Sequence, residues 1–216
     1  MEQTKSTPII KVILLCSVAL IVTSLSVMIF TTPEPRSKRI ATNSMDASVA
    51  AQGGMQLLDV SFKLTGSDRK QISSEDMKGK TMLIYFGFAH CPDVCPASLS
   101  EMAMALDTLK HLSHKVQPVF ISLDPERDVP EKLKVYFDNF DKRFVALTGT
   151  KEQIKDVATR YKVYAAKTND PSGKKDSYTM NHSAFYYLVD KNGKFIKYYA
   201  PGTKAKDIAQ DLKRYI

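Results

Sequence analysis

Two cysteines, Cys91 and Cys95, stand where a buried strand ends and a helix begins. The apolar run at residues 82–86 predicts the strand, Gly87 ends it, and Pro96 opens a helical pattern. The first turn of a helix has free N–H groups and the positive end of the helix dipole. Both features lower the pKa of a thiol and favour the thiolate, which is the metal-binding and nucleophilic form. The pair therefore predicts a soft-metal or redox site.

The spacing of the pair is C-x-x-x-C, one residue wider than the C-x-x-C of dithiol redox motifs. It still allows a disulfide, and the wider gap lets two thiolates approach one ion from two sides. Two inert buried cysteines are the less favoured alternative, because the flanking prolines place both in a loop and predict partial exposure. Pro96 suits the first helical position, which makes Cys95 the expected N-cap residue, and Pro92 stiffens the loop.

A metal site with two thiolates needs at least one further ligand, and the chain has four histidines. His90 is adjacent to the first cysteine, so its side chain is expected to point elsewhere. His111 and His114 stand at the end of the following helix, where an imidazolium suits the helix dipole. His182 precedes a predicted strand at residues 183–189, and in a thioredoxin-like layout that loop lies next to the cysteine loop. We therefore expect His182 to be the third ligand.

Two thiolates and one imidazole form a soft donor set of low coordination number. Such a set favours Cu(I) and tolerates Cu(II) when an oxygen ligand is added. Structural zinc normally takes a fourth protein ligand, for which the sequence offers no obvious candidate, although zinc binding in vitro stays open. Asp124 and Asp128 follow the next predicted strand, and turn formation with helix capping is the favoured interpretation of both. A more specific hypothesis is that Asp124 orients the metal ligands without binding the metal itself, or that it contacts a partner.

The order of the predicted elements is β-β-α-β-α-β-α-β-β-α, which is typical of a thioredoxin-like α/β domain with a mixed central sheet flanked by helices. Parallel strands joined by helices are expected first, followed by an antiparallel hairpin that turns at Asn192-Gly193. The cysteine loop then lies at the carboxyl end of a parallel strand, where open α/β sheets place their sites. The predicted strands are 58–64, 82–86, 116–123, 144–147, 183–189 and 194–199, the helices are 97–112, 131–140, 151–160 (capped by Thr150) and 203–216, and 167–179 is an exposed loop.

The N-terminal part of the chain is organised differently. A short segment at residues 1–11 precedes nineteen uncharged residues at 12–30, about enough to cross a hydrocarbon core at about 1.5 Å per residue. No small-residue cleavage site follows closely, so we expect an uncleaved transmembrane anchor with Cys16 as an apolar side chain inside it. Residues 31–54 lack apolar periodicity and predict a flexible tether. Residues 55–216 are expected to form the thioredoxin-like, copper-binding domain.

The composition fits a globular chain, with 44% hydrophobic and 25% charged residues. The net charge of +8 allows a basic surface that meets an anionic partner or lipid headgroups. No long Lys/Arg run is present, so scattered, solvated lysines are the favoured interpretation, and no nucleic-acid partner is expected.

Three motifs, in this order along the chain, resemble those of the Sco/SenC family of membrane-anchored copper chaperones. They are G-F-A-H-C-P-D-V-C-P at 87–96, S-L-D-P-E-R-D-V-P at 122–130 and N-H-S-A-F-Y-Y-L-V-D at 181–190. The resemblance covers about residues 55–216, with a single anchor in front as the family has. Three separate motifs in the same order make it specific.

The resemblance implies that copper is delivered to the binuclear copper centre of cytochrome c oxidase subunit II. It also implies that Cys91, Cys95 and His182 are the copper ligands, and that the two cysteines can exist as a disulfide. The chain departs from the family pattern at Met180-Asn181, where Val-Asp is expected. This departure leaves no carboxylate next to the histidine.

The expected location is the bacterial inner membrane, crossed once, with the C-terminal domain in the periplasm. The flanking charges do not decide the orientation, because basic residues stand on both sides of the span. Thiol usage and the resemblance place the domain outside the cytoplasm. The first seven residues contain Glu2 and no arginine, which is untypical of a mitochondrial transit peptide, so the mitochondrial inner membrane is the alternative.

Two functions use the same thiols. The first is a copper metallochaperone, which is not an enzyme, with subunit II and another copper chaperone as expected partners. The second is a thiol–disulfide oxidoreductase that reduces the copper-site cysteines of the oxidase, with a thioredoxin-like protein as its reductant. His182 distinguishes the two, because a metal site requires the imidazole and a dithiol reductase does not. A thiol peroxidase shares the fold, but the Thr and Arg neighbours of its single activated Cys are missing here.

Overall fold

The computed structural model describes residues 58–169 and 178–216. In these ranges the chain forms a seven-stranded sheet, a two-stranded ribbon, four α-helices and two short 3-10 helices. The strands are β1 (Lys63–Gly66), β2 (Gln71–Ser73), β3 (Thr81–Gly87), β4 (Val116–Ser122), β5 (Val145–Thr148), β6 (Ala165–Asn169), β7 (Tyr178–His182), β8 (Tyr186–Val189) and β9 (Phe195–Tyr199). The helices are α1 (Val94–Leu109), α2 (Pro130–Phe140), α3 (Lys151–Arg160) and α4 (Ala205–Leu212), with 3-10 helices at Glu75–Met77 and Lys110–Lys115.

The seven-stranded sheet is mixed, with strand order β2-β1-β5-β4-β3-β8-β9. Strands β3, β4 and β5 run parallel, whereas β8 and β9 pair antiparallel. The expected thioredoxin-like α/β fold, with its parallel first half and antiparallel hairpin, is confirmed. The register aligns Gly87 at the end of β3 with Ser122 at the end of β4. The loops with the cysteines and the aspartates therefore leave the sheet at the same edge.

Strand β3 is buried along its whole length. Its side chains alternate between two hydrophobic clusters: Leu83 and Tyr85 join residues of α1, α2 and α4, and Met82, Ile84 and Phe86 join residues of α3. Burial on both faces explains the continuous apolar run in the sequence. The strand is thereby fixed on both sides, which gives the cysteine loop a rigid base.

Helix α1 begins earlier than the sequence predicts. Val94 is its first residue and Asp93 is the N-cap residue, so the expectation that Cys95 caps the helix is wrong. Cys95 and Pro96 are the second and third helical residues. Proline is tolerated there because the N–H groups of the first turn have no acceptor within the helix. The N–H of Ala97 donates to the Asp93 carbonyl and starts the regular ladder.

Helix α3 begins where the sequence predicts, directly after Thr150. The Thr150 hydroxyl accepts from the Gln153 N–H at 3.2 Å, and the Gln153 side chain accepts from the Thr150 N–H at 2.8 Å. This reciprocal capping box satisfies two N–H groups that the helix leaves free.

The expected exposed loop at residues 167–179 is wrong at both ends, which belong to strands. Strands β6 and β7 pair antiparallel, with Ala165 opposite His182. Their side chains are exposed or only partly buried, so no apolar alternation marks them in the sequence. His182 is accordingly the last residue of β7, and β8 begins at Tyr186 instead of residue 183.

The expected strand at residues 58–64 is wrong for most of its length, because β1 begins only at Lys63. The alternation itself is real, since Val60 and Phe62 are buried while Asp59 and Ser61 are exposed. The backbone at residues 58–62 nevertheless belongs to no strand. The alternation in this segment therefore indicates which side chains are buried, and it does not indicate a paired strand.

The expected anchor at residues 12–30, with Cys16, and the expected tether at residues 31–54 lie outside the described residues. Among the helices of residues 58–169 and 178–216, none combines the length and the apolar character that a membrane crossing needs. The division of the chain into an anchor, a tether and a domain stays a prediction.

Candidate metal centre

Cys91, Cys95 and His182 meet at the carboxyl edge of β3. Cys91 lies in the loop after the strand, Cys95 in the first turn of α1, and His182 at the end of β7. The Sγ of Cys95 is 3.4 Å from Nε2 of His182, and the Cys95 N–H donates to the Sγ of Cys91 at 3.4 Å. Both cysteines are free thiols. The structure thus places the three predicted ligands together, although they are far apart in the sequence.

The site is not yet closed around an ion position. In the described part of the chain, no group of three or more His, Cys, Asp or Glu side chains already has metal-binding geometry. Cys91 and His182 each come within 3.4 Å of an atom of Cys95. Metal binding therefore requires these three side chains to contract around the ion.

The two thiols differ in burial and in charge. Cys91 is partly exposed, whereas Cys95 is only 1% exposed, so the expectation that both are partly exposed is wrong for Cys95. The hydrogen bond from the Cys95 side chain is the largest factor that lowers the pKa of Cys91 to about 4, and the backbone N–H groups of Asp93 and Cys95 assist. The same contact and burial raise the pKa of Cys95 above the ordinary thiol range. Cys91 is therefore the thiolate and Cys95 keeps its proton at neutral pH.

The imidazole of His182 is held in one orientation. Its Nδ1 lies 3.0 Å from the carbonyl oxygen of Ser183. A carbonyl oxygen only accepts, so Nδ1 has the hydrogen and the lone pair of Nε2 faces the cysteines. The ring also packs edge-on against Tyr85 and Phe88, with centroids 6.2 and 5.8 Å away. The free nitrogen is thus the one that points to the candidate metal position.

Gly87 makes room for the sulfur of Cys95. A Cβ atom on this glycine would lie 2.9 Å from the Cys95 Sγ and 2.9 Å from a ring carbon of Tyr85. Both distances are shorter than a normal contact of a Cβ atom. The buried strand holds the backbone in place, so a side chain at this position would clash with its neighbours. The glycine therefore has a packing role in the motif in addition to ending the strand.

Asp128 anchors the cysteine loop. Its buried carboxylate accepts from the Ala89 N–H at 2.8 Å and from the Ser122 hydroxyl at 2.6 Å. Burial raises the pKa of this carboxyl. The Nδ1 of His90 lies 3.5 Å from the other carboxylate oxygen, so His90 turns toward Asp128, as expected for a residue that is not a ligand. Asp128 does more than form a turn, because its carboxylate binds Ala89 on the cysteine loop, 39 residues away in the sequence.

Asp124 contacts none of the three predicted ligands through its side chain. Its buried carboxylate accepts from the guanidinium of Arg127 and, at 2.7 Å, from the hydroxyl of Tyr178. Arg127 also donates to the Tyr178 carbonyl at 2.8 Å and stacks over the ring at 3.8 Å. Tyr178 begins the strand that ends in His182. Asp124 can therefore orient the histidine only through β7.

Arg127 and Tyr178 were missed by the sequence analysis. The Arg is visible in the S-L-D-P-E-R-D-V-P motif, but its partner Tyr178 stood in a predicted loop. His111 and His114 lie in the 3-10 helix that follows α1, where the two exposed residues contact each other and not the site. The expectation that they are not ligands agrees with this placement.

Alkylation of the reduced protein should test the division of charge between the thiols. Since its pKa is lowered, Cys91 stays a thiolate between about pH 8 and about pH 6, and its rate with iodoacetamide should change little in this range. An ordinary thiol, with a pKa near 8.5, loses nearly tenfold per pH unit. Peptide mass spectrometry identifies the modified residue, and urea-unfolded protein is the control. Modification of Cys95 first, or an ordinary pH profile for Cys91, would contradict the assignment.

Comparison with known proteins places the chain in a family. The model of the SCO1/SenC family matches residues 50–216. The SCO2-like protein of Rickettsia prowazekii is 35% identical over 205 residues, which cover 95% of this chain and 96% of that protein.

Solved structures that resemble this chain point to the same family. ScoI of Bradyrhizobium japonicum, solved with copper bound, is 41% identical with a TM-score of 0.66, over 72% of this chain and 98% of that one. BsSco, described by its disulfide switch and as a member of the Sco family of cytochrome c oxidase assembly proteins, is 28% identical with a TM-score of 0.55, over 72% and 91%. With these matches added to the three motifs and the fold, the chain belongs to the SCO1/SenC family.

Proposed function

We propose that this protein is a membrane-anchored copper metallochaperone that delivers copper to the binuclear copper site of cytochrome c oxidase subunit II. The observation that carries the proposal is the 3.4 Å approach of the Cys95 sulfur to the free nitrogen of His182, with the Cys91 thiolate beside them. The copper-bound ScoI structure and the description of BsSco as an oxidase assembly protein support it by family membership. Copper is the cargo in this function and not a resident cofactor.

The donor set suits copper in its reduced state. Two sulfurs and one imidazole nitrogen are soft ligands that favour Cu(I). The nearby carboxylates of Asp124 and Asp128 accept hydrogen bonds from Arg127, Tyr178, Ala89 and Ser122, and none of these bonds involves a cysteine. Cu(II) requires an additional oxygen ligand, for which water is available at the exposed side of Cys91. Zinc would lack the fourth protein ligand of a structural site.

The unequal exposure of the thiols suggests how copper leaves. Cys91 is partly exposed to solvent, whereas Cys95 is buried. An incoming thiolate of subunit II would first displace Cys91 and then replace Cys95 and His182. The copper stays bound to at least two ligands throughout, so it is never released to solvent.

Reduction of a disulfide in subunit II is the second candidate function. The lowered pKa of Cys91 favours it, because the thiolate is the attacking species. Cys91 would attack the partner disulfide and form a mixed disulfide, and the departing partner thiolate would take the proton of Cys95. Cys95 would then attack Cys91, release the second partner thiolate and leave a Cys91–Cys95 disulfide. A thioredoxin-like dithiol would reduce that disulfide again.

The proposed setting follows from the sequence. A single anchor at residues 12–30 would hold the protein in the bacterial inner membrane, and a tether at residues 31–54 would let the domain at residues 55–216 reach its partner in the periplasm. The mitochondrial inner membrane is the alternative. Another copper chaperone is the proposed source of the copper. Asp124 is proposed to support the site by holding Tyr178 and, through β7, His182.

Replacing the histidine separates metal binding from thiol chemistry. His182→Ala should weaken Cu(I) binding by more than about 100-fold, because the loss of a ligand exceeds the effect of losing a residue behind it. Disulfide exchange at the cysteine pair should stay largely intact. Competition with a chromophoric Cu(I) chelator and the rate of reduction by a dithiol measure the two properties. His114→Ala, an exposed histidine away from the site, is the matched control, and unchanged affinity in His182→Ala would remove His182 from the site.

Copper transfer distinguishes the two candidate functions. Two equivalents of the Cu(I)-loaded protein, mixed with the reduced, copper-free soluble domain of subunit II and then with a one-electron oxidant such as ferricyanide, should give the absorption spectrum of the mixed-valence binuclear centre. Cys91→Ser should fail to do so, because one of its sulfur ligands is gone. If no copper moves, while the copper-free protein readily reduces the disulfide form of the same domain, the reductase is the function and the chaperone is not.

A further inference from the structure

The hydroxyl of Tyr85 is a buried donor without an acceptor. Tyr85 is fully buried in β3, and its hydroxyl makes no hydrogen bond within the described residues. Buried polar groups in folded proteins are normally paired, so an unpaired hydroxyl calls for an explanation. One explanation is that its acceptor arises only in another state of the protein.

Tyr85 borders two of the three proposed ligands. Tyr85 and Gly87 lie on the same face of β3, two residues apart. A ring carbon of Tyr85 and the Cys95 sulfur each lie 2.9 Å from the place where a Cβ atom of Gly87 would be, so the ring and the sulfur are neighbours. The ring also meets the imidazole of His182 edge-on, at 6.2 Å and 81°. No other tyrosine of the described residues has both contacts.

A second hydroxyl near by is that of Ser98. It lies one turn after Cys95 on α1 and influences both Tyr85 and Tyr186. Neither Ser98 nor the Cys95 thiol reaches hydrogen-bonding geometry with Tyr85 in this structure. A thiol sulfur is a weak acceptor, whereas a copper-bound sulfur is a thiolate and accepts strongly. Loading with copper would therefore create the acceptor that Tyr85 lacks.

We propose that Tyr85 is a positioning residue for copper, whose hydroxyl donates a hydrogen bond to the Cys95 sulfur when that sulfur binds the ion. The inference rests on the proposed copper function. A phenol keeps its hydrogen at neutral pH, so the Tyr85 hydroxyl can act as the donor. The copper-loaded state gains a hydrogen bond that the thiol state does not have, and Tyr85 thereby favours copper retention.

Two consequences follow for a protein without this hydroxyl. Copper binding weakens, and the effect expected for a group behind a metal ligand is 10- to 100-fold. The sulfur-to-copper charge-transfer band of the Cu(II) form moves to longer wavelength, because a hydrogen bond lowers the energy of the sulfur electrons. The copper-free protein should unfold no earlier than the wild type, since an unpaired buried hydroxyl has been removed. A purely structural role would instead lower stability and affinity together.

Tyr85→Phe and Tyr186→Phe form a matched pair of variants. Tyr186 is also fully buried, its hydroxyl also makes no hydrogen bond, and its ring lies 5.6 Å from that of Tyr85. The full chain, in detergent, is titrated with Cu(I) against a chromophoric chelator, and urea unfolding of the copper-free form is recorded. Tyr85→Phe should raise the Cu(I) dissociation constant at least about tenfold and shift the band, whereas Tyr186→Phe should change the constant less than about twofold.

The outcomes separate the inference from the function on which it rests. Equal effects of the two variants, or a loss of affinity that follows a loss of stability, would overturn the role of Tyr85 while wild-type copper binding stands. A wild type that binds no copper would overturn the proposed function, and the inference with it. If Tyr85→Phe does not fold, ¹³Cζ-tyrosine NMR of the wild type decides. Copper should shift the Tyr85 signal and leave that of Tyr186 in place, and an unshifted Tyr85 signal would overturn the inference.

Discussion

The contact between the Cys95 sulfur and the His182 imidazole is the interaction on which the site depends. It joins residues 87 positions apart, at 3.4 Å. Three separate features make it possible: Gly87 leaves space for the sulfur, the pairing of β6 with β7 places the histidine, and the Ser183 carbonyl fixes its tautomer. Gly87 is the last residue of β3, and that strand is immobilised by two hydrophobic clusters. The fold supplies a fixed frame, and the three proposed ligands lie close together within it.

The asymmetry of the two cysteines gives the site its chemical character. One sulfur is a partly exposed thiolate and the other is a buried thiol whose proton supports the first. Such a pair serves ligand exchange with an incoming thiolate, and it equally serves attack on a disulfide. The imidazole favours metal binding over disulfide reduction as the function of the site, because a dithiol reductase does not need a third donor group next to its resolving cysteine. The Asp128 anchor behind Ala89 keeps the loop in place for either use.

The sequence predicted which side chains of the site come together better than it predicted their surroundings. The convergence of Cys91, Cys95 and His182 could be predicted because thiols and imidazoles are rare in this chain and their places in the element order meet at one edge of the sheet. Thr150 was found because a capping box is a local pattern. The burial of Cys95 depends on how α1 packs on β3, and the ribbon of β6 and β7 has no apolar alternation. The long-range partners of Asp124 and Asp128 likewise have no signal in a single sequence, since turn formation explains an aspartate after a strand equally well.

X-ray absorption spectroscopy of the copper-loaded protein tests the central claim most directly. The measurement uses the full chain in detergent with the Cys16→Ser replacement, so that only Cys91 and Cys95 can supply sulfur. The site described above predicts one Cu(I) per chain, bound by two sulfurs at about 2.2–2.3 Å and one imidazole nitrogen near 2.0 Å, with distances similar to those of other soft-metal sites. Loss of the nitrogen signal in His182→Ala should follow. A spectrum with sulfur ligands alone in the wild type, or with no imidazole scattering, would contradict a three-ligand copper site.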